Sequence, residues 1–147
     1  MKDKTIDYVL RTTWLSVQKM YNEEAATIDS TMATGFTLLS IDPEKGTPST
    51  ALGPKMGMEA TSLTRILKTM EKKKLIERHP NPKDGRGVII RLTEFGREKR
   101  DFSRDKVLIF NDAIRKNVSE KQLNHFYEVA EVINDMVSNK KIYNQKD

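Results

Sequence analysis

Thr61, Arg65, Lys68 and Lys72 follow one another at steps of four, three and four residues. On a helix that spacing collects them along one edge. Leu63, Ile66, Leu67 and Met70 fall on the other side, so the segment from about Glu59 to Lys73 reads as an amphipathic helix whose outer edge offers hydroxyl and cationic groups. Such groups hold phosphate oxygens, and an arginine among them can read a base edge. A second basic set follows at Lys83 and Arg86, inside Pro80-Asn81-Pro82-Lys83-Asp84-Gly85-Arg86-Gly87. This run is dense in turn formers and reads as a hairpin loop. It lies between a short strand, Leu75 to His79, and a β-branched one, Val88 to Thr93. Taken singly, these features have ordinary explanations: a basic outer face is most often a solvated one, and a Pro/Gly/Asp loop most often only a hairpin. Their order, helix, second helix, strand, basic loop, strand, is that of a winged helix-turn-helix. There the second helix fits the major groove of DNA and the loop reaches the neighbouring minor groove. Lys83 at that loop is a candidate phosphate contact.

The charge distribution points the same way. Residues 55 to 100 hold thirteen Lys or Arg against six Asp or Glu, whereas the rest of the chain holds thirteen against fifteen. One segment therefore carries more than the whole positive excess of +5, as a surface that meets phosphates requires. With 147 residues, 37% hydrophobic and 32% charged, the composition suits a single compact, helix-rich domain with a core of its own. The absence of cysteine removes disulfides, thiolate metal sites, cysteine nucleophiles and thiol redox sensing together. No apolar run approaches the roughly 20 residues of a bilayer span, and the N-terminus lacks a signal-like apolar core, so a cytoplasmic protein is expected. Catalysis is not expected either. The chain has no P-loop, no H-E-x-x-H and no G-x-S-x-G, and its two histidines, His79 and His125, lie far apart without a metal-ligand companion. No cofactor or metal is implied.

The remaining elements must position these groups. Ile6, Val9, Leu10, Thr13, Trp14, Val17, Met20 and Tyr21 recur at steps of three and four, which places an apolar stripe on a long first helix. A second helix, Met32 to Ile41, ends before Pro43 because proline disfavours helical backbone in the residue preceding it. Thr47-Pro48 reads as the cap and first position of a short third helix, in which Pro54 lacks a donor and opposes the carbonyl of Thr50. Gly57 supplies the turn into the basic helix. Thr93 can cap a long fifth helix reaching about Asn117. Ser119 with Gln122 forms a capping box for a sixth helix, striped by Leu123, Phe126, Tyr127, Ala130, Ile133 and Val137. The tail from 139 to 147 is polar and is expected to fray. The fold class is thus mainly α with a small two- or three-stranded β wing, flanked by N- and C-terminal helices.

The stretch Leu67, Met70-Glu71-Lys72-Lys73-Lys74-Leu75-Ile76-Glu77-Arg78, the loop Asp84-Gly85-Arg86 and Leu92-Thr93-Glu94-Phe95-Gly96 resemble the hallmark region of the multiple-antibiotic-resistance regulator (MarR) family. The likeness in helix order runs over about residues 5 to 138, with the specific motif confined to about 60 to 96. The resemblance implies a homodimeric transcriptional regulator, a repressor released by a small-molecule ligand. Segments 5–30 and 98–138 would be dimerisation helices and 31–97 the DNA-binding lobe. The apolar stripes of the first, fifth and sixth helices independently exceed what a small lobe can cover, and a partner chain would cover them. Two-fold symmetry then predicts a roughly palindromic operator, with recognition helices about 34 Å apart. Carried over by position, Thr61, Ser62, Thr64 and Arg65 match residues facing bases and phosphates, and Lys68 would lie along the backbone. Arg86 matches the wing arginine of the minor groove. Asp84 matches the acidic residue that holds the wing in shape, by pairing with a nearby arginine. An effector, small and aromatic or anionic, would lie in a crevice walled by Trp14, Tyr21, Met32 and Phe36, although aromatic residues at helical spacing are more often simply core.

Two positions depart from the family pattern. Lys74 stands where glycine is common, and either adopts a left-handed conformation or extends the helix. Pro54 makes the helix before the recognition helix less regular. A rival function, a winged-helix module that binds protein rather than DNA, would need an apolar outer face on the basic helix, whereas this one offers Thr, Arg and Lys.

Overall fold

A computed structural model describes residues 4–144. Six helices and three short strands follow in the order α1 (Ile6–Ala26), α2 (Met32–Ser40), β1 (Thr47–Pro48), α3 (Ser49–Met56), α4 (Ala60–Lys72), β2 (Ile76–Asn81), β3 (Asp84–Leu92), α5 (Glu94–Asn117) and α6 (Glu120–Ser138). The sheet is antiparallel in the order β1-β3-β2. The chain divides into two compact units, Met1–Lys106 and Val107–Asp147, with the division inside α5.

In the first unit the core is built by residues of α2, α3, α4, β2 and β3 and of the turns beside them. Leu38, Ile41, Leu52, Leu63, Leu67, Met70, Leu75, Ile76, Ile90 and Leu92 form one buried cluster, with Met56, Met58, Ile66 and Val88 packed against it. Helix starts follow the polar residues before them: Thr5 accepts the N–H of Tyr8, and Thr31 that of Thr34. The Oδ1 of Asn22 accepts the N–H of Met32 at 3.0 Å, tying α1 to the first residue of α2. Ile41, expected as the last residue of α2, instead has an extended backbone and is 1% exposed, so it turns into the core and ends the helix at Ser40.

Two segments differ from the sequence reading. Thr47-Pro48 is not a helix cap but the strand β1, pairing with Ile90 and Ile89. The Thr47 hydroxyl accepts the N–H of Asp42 at 2.9 Å, and α3 begins at Ser49 without a side-chain cap. The local Thr-Pro pattern was outweighed by ladder pairing with a strand more than forty residues away. The expected loop 80–87 is largely strand: β2 runs to Asn81, β3 starts at Asp84, and only Pro82 and Lys83 turn. Pro54 lies in the last turn of α3, which ends two residues later, and Gly57 closes it with φ 61°.

The second unit holds the distal part of α5 and all of α6. Ser119 accepts the N–H of Gln122, whose side chain accepts that of Ser119, so the expected capping box is present. Past α6, Asp135 accepts hydrogen bonds from Asn139 at 2.7 Å and Lys141 at 2.9 Å. The Lys141 ammonium, first by its hydrogen bond and then by its charge, holds the Asp135 carboxyl below its ordinary pKa. The expected tail is described as far as Asn144, and residues 145–147 lie outside the described residues. No helix among the described residues is long and apolar enough to cross a membrane.

Candidate nucleic-acid interface

Helix α4 buries Leu63, Leu67 and Met70 and leaves Thr61, Ser62, Thr64, Arg65 and Lys68 exposed, as its period requires. Among the described residues, no ion pair engages Arg65 or Lys68. Their charges stand on the surface uncompensated. Thr64 donates its hydroxyl hydrogen to the carbonyl of Ala60 at 2.8 Å, so its oxygen is left as an acceptor only. Glu59 stands at the N-cap of α4, and its side chain makes no capping hydrogen bond. The first amides of the helix are therefore left without a side-chain acceptor.

Both ends of α4 are fixed by backbone. Before it, the N–H of Met58 reaches the carbonyl of Gly53 at 2.9 Å, around the left-handed Gly57. After it, Lys74 adopts φ 60°, so of the two conformations open to it from sequence it takes the left-handed one. The N–H of Leu75 then bonds to the carbonyl of Met70 and that of Lys74 to Glu71, both at 2.9 Å. This is the closing turn usually made by glycine, with buried Leu75 and Met70 supplying its apolar contact. Arg78 of β2 forms an ion pair with Glu71 on the last turn of α4.

The L-T-x-x-G run has a physical basis at the same joint. Leu92 is core, and Thr93 does three things: its N–H bonds to the carbonyl of Leu75 at 3.1 Å, its hydroxyl donates to the carbonyl of Lys74 at 2.7 Å, and its oxygen caps α5 by accepting the N–H of Gly96 at 3.0 Å. Gly96 lets the two backbones touch, since a Cβ there would fall 2.0 Å from the Leu75 carbonyl oxygen.

At the wing tip Lys83, Asp84 and Arg86 are all exposed. The expected pairing of Asp84 with an arginine is not what forms. Its carboxylate accepts the backbone N–H of Arg86 at 3.1 Å, and no ion pair involves it among the described residues. The bond is local, from the carboxylate to the amide two residues on. Missed from sequence was Asn81, whose side chain does the same for Lys83. Its place in a turn-forming run was the available signal.

The residues expected to wall an effector crevice divide. Tyr21 and Phe36 meet edge to face, with ring centroids 5.5 Å apart, and burial pushes the Tyr21 phenol above its ordinary pKa. Trp14, two turns earlier on α1, is 47% exposed, and Met32 is half-buried at the start of α2.

Helix, turn, recognition helix and wing thus stand in one compact unit, and the sequence profile of the MarR family matches residues 31–88 of it, from α2 into β3. Over that stretch the chain is similar to the MarR family of winged helix-turn-helix transcriptional regulators. MarR-family regulators are non-catalytic, in keeping with the expectation that this chain is no enzyme. Two similar proteins are the uncharacterized HTH-type transcriptional regulator YdgJ of Bacillus subtilis and the HTH-type transcriptional regulator SarZ of Staphylococcus aureus. YdgJ is 28% identical over 88 residues, covering 60% of this chain and 54% of its own. SarZ is 29% identical over 119 residues, covering 80% and 74%. The match thus spans about half the length of YdgJ and about three-quarters of SarZ. Among solved structures, the S. aureus MepR–DNA complex superposes with a TM-score of 0.80 at 19% identity, over 93% of this chain and 99% of that one. The PcaV regulator of Streptomyces coelicolor, in complex with its natural ligand, superposes at 0.78 with 15% identity, over 91% and 94%. These likenesses carry the MarR fold across nearly the whole chain.

Proposed function

We propose that this chain is a homodimeric, cytoplasmic repressor of the MarR family that binds a specific double-stranded DNA site and releases it when a small aromatic or anionic ligand binds. One observation carries the reading: the exposed edge of α4 and the wing tip hold Arg65, Lys68, Lys83 and Arg86 without acidic partners among the described residues, on elements whose other faces are core. Unpaired cations on a rigid support favour phosphate oxygens over any apolar partner. In this reading Thr61, Ser62, Thr64 and Arg65 face the major groove, Lys68 and Lys83 meet phosphates, and Arg86 enters the minor groove. The two-chain assembly is supported by apolar side chains left exposed on three helices. They include Ile6 (68%) on α1, Ile109 (61%) on α5 and Phe126 (61%) on α6, which a second copy would cover. Segments 5–30 and 98–138 would supply that interface and 31–97 the DNA-binding lobe. Trp14, Tyr21, Met32 and Phe36 would wall the ligand crevice, and PcaV, a structural neighbour, is known with its natural ligand bound.

Selection of binding sites from randomised duplexes with the purified protein tests the reading. A roughly palindromic site with half-sites about one DNA turn apart is expected, with affinity falling steeply as salt rises. A protein that is monomeric, or that enriches no sequence at moderate ionic strength, would refute it.

A further inference from the structure

The two cations of the wing tip are held in the same way. The Oδ1 of Asn81 accepts the backbone N–H of Lys83 at 3.0 Å, and the Oδ1 of Asp84 accepts that of Arg86 at 3.1 Å. In each a side-chain oxygen stands in for a main-chain acceptor, two residues before the group it holds. The ladder explains why such props are needed. Pro80 pairs with Val88 and Asn81 with Asp84, so Gly85, Arg86 and Gly87 stand outside the pairing as a bulge with no opposite strand to fix them. Gly87 leaves room for both props: a Cβ there would lie 3.2 Å from Oδ2 of Asp84 and 3.3 Å from the Cβ of Asn81. Gly85 faces open space, with nothing within 4 Å of a Cβ placed on it. The ends of Lys83 and Arg86 carry no acidic partner among the described residues, so what is fixed is their backbone and what is free is their charge.

We infer that Asn81 and Asp84 are a matched pair of positioning residues, each setting the direction of one DNA-facing cation through an oxygen acceptor, and that the negative charge of Asp84 plays no part in this work. The inference rests on the DNA-binding reading above. An amide oxygen occupies the same position as a carboxylate oxygen and accepts the same hydrogen bond. Against a phosphate backbone the charge is a drawback, because it repels the polyanion that the wing approaches.

The test uses the full-length protein and the duplex that it selects. D84N, its amide confirmed by intact mass, is expected to bind about twofold more tightly than the wild type at low salt, since one repulsive charge is gone and the prop remains. D84A and N81A are each expected to weaken binding about fivefold, the worth of one hydrogen bond. Both should also flatten the base preference at the outer positions that the wing touches, while preference at the positions under α4 holds. A purely structural defect would depress both regions alike. If D84N loses as much affinity as D84A, the charge is the working feature and the inference fails. If N81A binds as tightly as the wild type with its outer preference intact, the pairing of the two residues fails. Thermal melting checks folding, and should D84A not fold, D84N and N81A still decide. A wild-type protein that selects no duplex overturns the DNA-binding reading and this inference with it, whereas defects confined to the variants bear on the props alone.

Discussion

Replacing Gly96 by alanine sets two opposed effects against each other at one atom. Alanine is the better helix former by about 1 kcal/mol, so on propensity alone G96A would stabilise α5. The geometry opposes this, because the new Cβ would sit 2.0 Å from the Leu75 carbonyl oxygen and 3.0 Å from its carbonyl carbon. Real Cβ contacts essentially never fall below 3.0 Å, so the first turn of α5 or the β2 start must retreat by about 1 Å, as overpacked backbones do. The retreat strains the two bonds by which Thr93 reaches the carbonyls of Leu75 and Lys74, at 3.1 and 2.7 Å. Overpacking costs about 1 to 3 kcal/mol and each lost hydrogen bond about 1. Less the propensity gain, about 2 to 4 kcal/mol of net destabilisation is left. Urea unfolding followed by circular dichroism measures it, at several protein concentrations because a dimer's midpoint moves with concentration. Gly85→Ala, where the added carbon meets nothing within 4 Å, is the control and should change stability by less than about 0.5 kcal/mol. A G96A protein as stable as the wild type would refute the close-approach account of this glycine.

Other consequences can be measured separately. R65A should cost about 1 to 3 kcal/mol of operator affinity and relax base choice at one position per half-site, whereas K68A should weaken all duplexes alike and lower the salt slope by about one; electrophoretic titrations across a salt series distinguish them. Lys74→Gly should raise stability by about 0.5 to 1 kcal/mol, since relief of the left-handed strain at φ 60° exceeds the added freedom of the unfolded chain; urea midpoints show it. Asp42 accepts the N–H groups of Lys45 and Glu44, which in that order hold its carboxyl below the ordinary value. The ionised form is therefore favoured by folding, so this contribution is complete above about pH 4 and fades as pH falls through the depressed value. NMR titration of the side chain, and an acid-unfolding curve of D42N lacking that part, check the sign.

What could be read from the sequence was whatever depends on neighbours along the chain. The face of α4 followed from the spacing of Thr61, Arg65 and Lys68 against Leu63, Leu67 and Met70, because a helix turns buried and exposed residues at a fixed period. Thr93 and the Ser119–Gln122 box were legible for the same reason, since caps act within three residues. Thr47-Pro48 misled because a local cap signal and a strand look alike over two residues, and only Ile89 and Ile90 decide between them. Asp84 misled in another way. Its type and place marked it as structural, but its carboxylate meets the backbone amide two residues on and not an arginine side chain, a choice set by how the chain turns at the wing tip. Gly96 appeared in the motif without a reason until the Leu75 carbonyl came to rest beside it.

Helix α4 is thus flanked by two left-handed residues, Gly57, which closes α3 before it, and Lys74, which closes α4 itself. At the far end the closing turn is bonded to the cap of α5 through Thr93 and pressed against Gly96, while Arg78 and Glu71 bind β2 to the same turn. Such a joint has little freedom to bend, because backbone-to-backbone contact and carbonyl bonds leave no flexible side chain to absorb movement. A rotation of the first turns of α5 must therefore carry the end of α4 and the root of the wing with it. Helix α2 also lies against that part of α5: a Cβ at Gly35 would come 2.9 Å from the Ser103 hydroxyl, and Phe36 beside it holds Tyr21. A ligand at Tyr21 and Phe36 can change DNA affinity only if it prefers one setting of this assembly over another. By reciprocity, bound operator must then change the affinity for that ligand by the same factor.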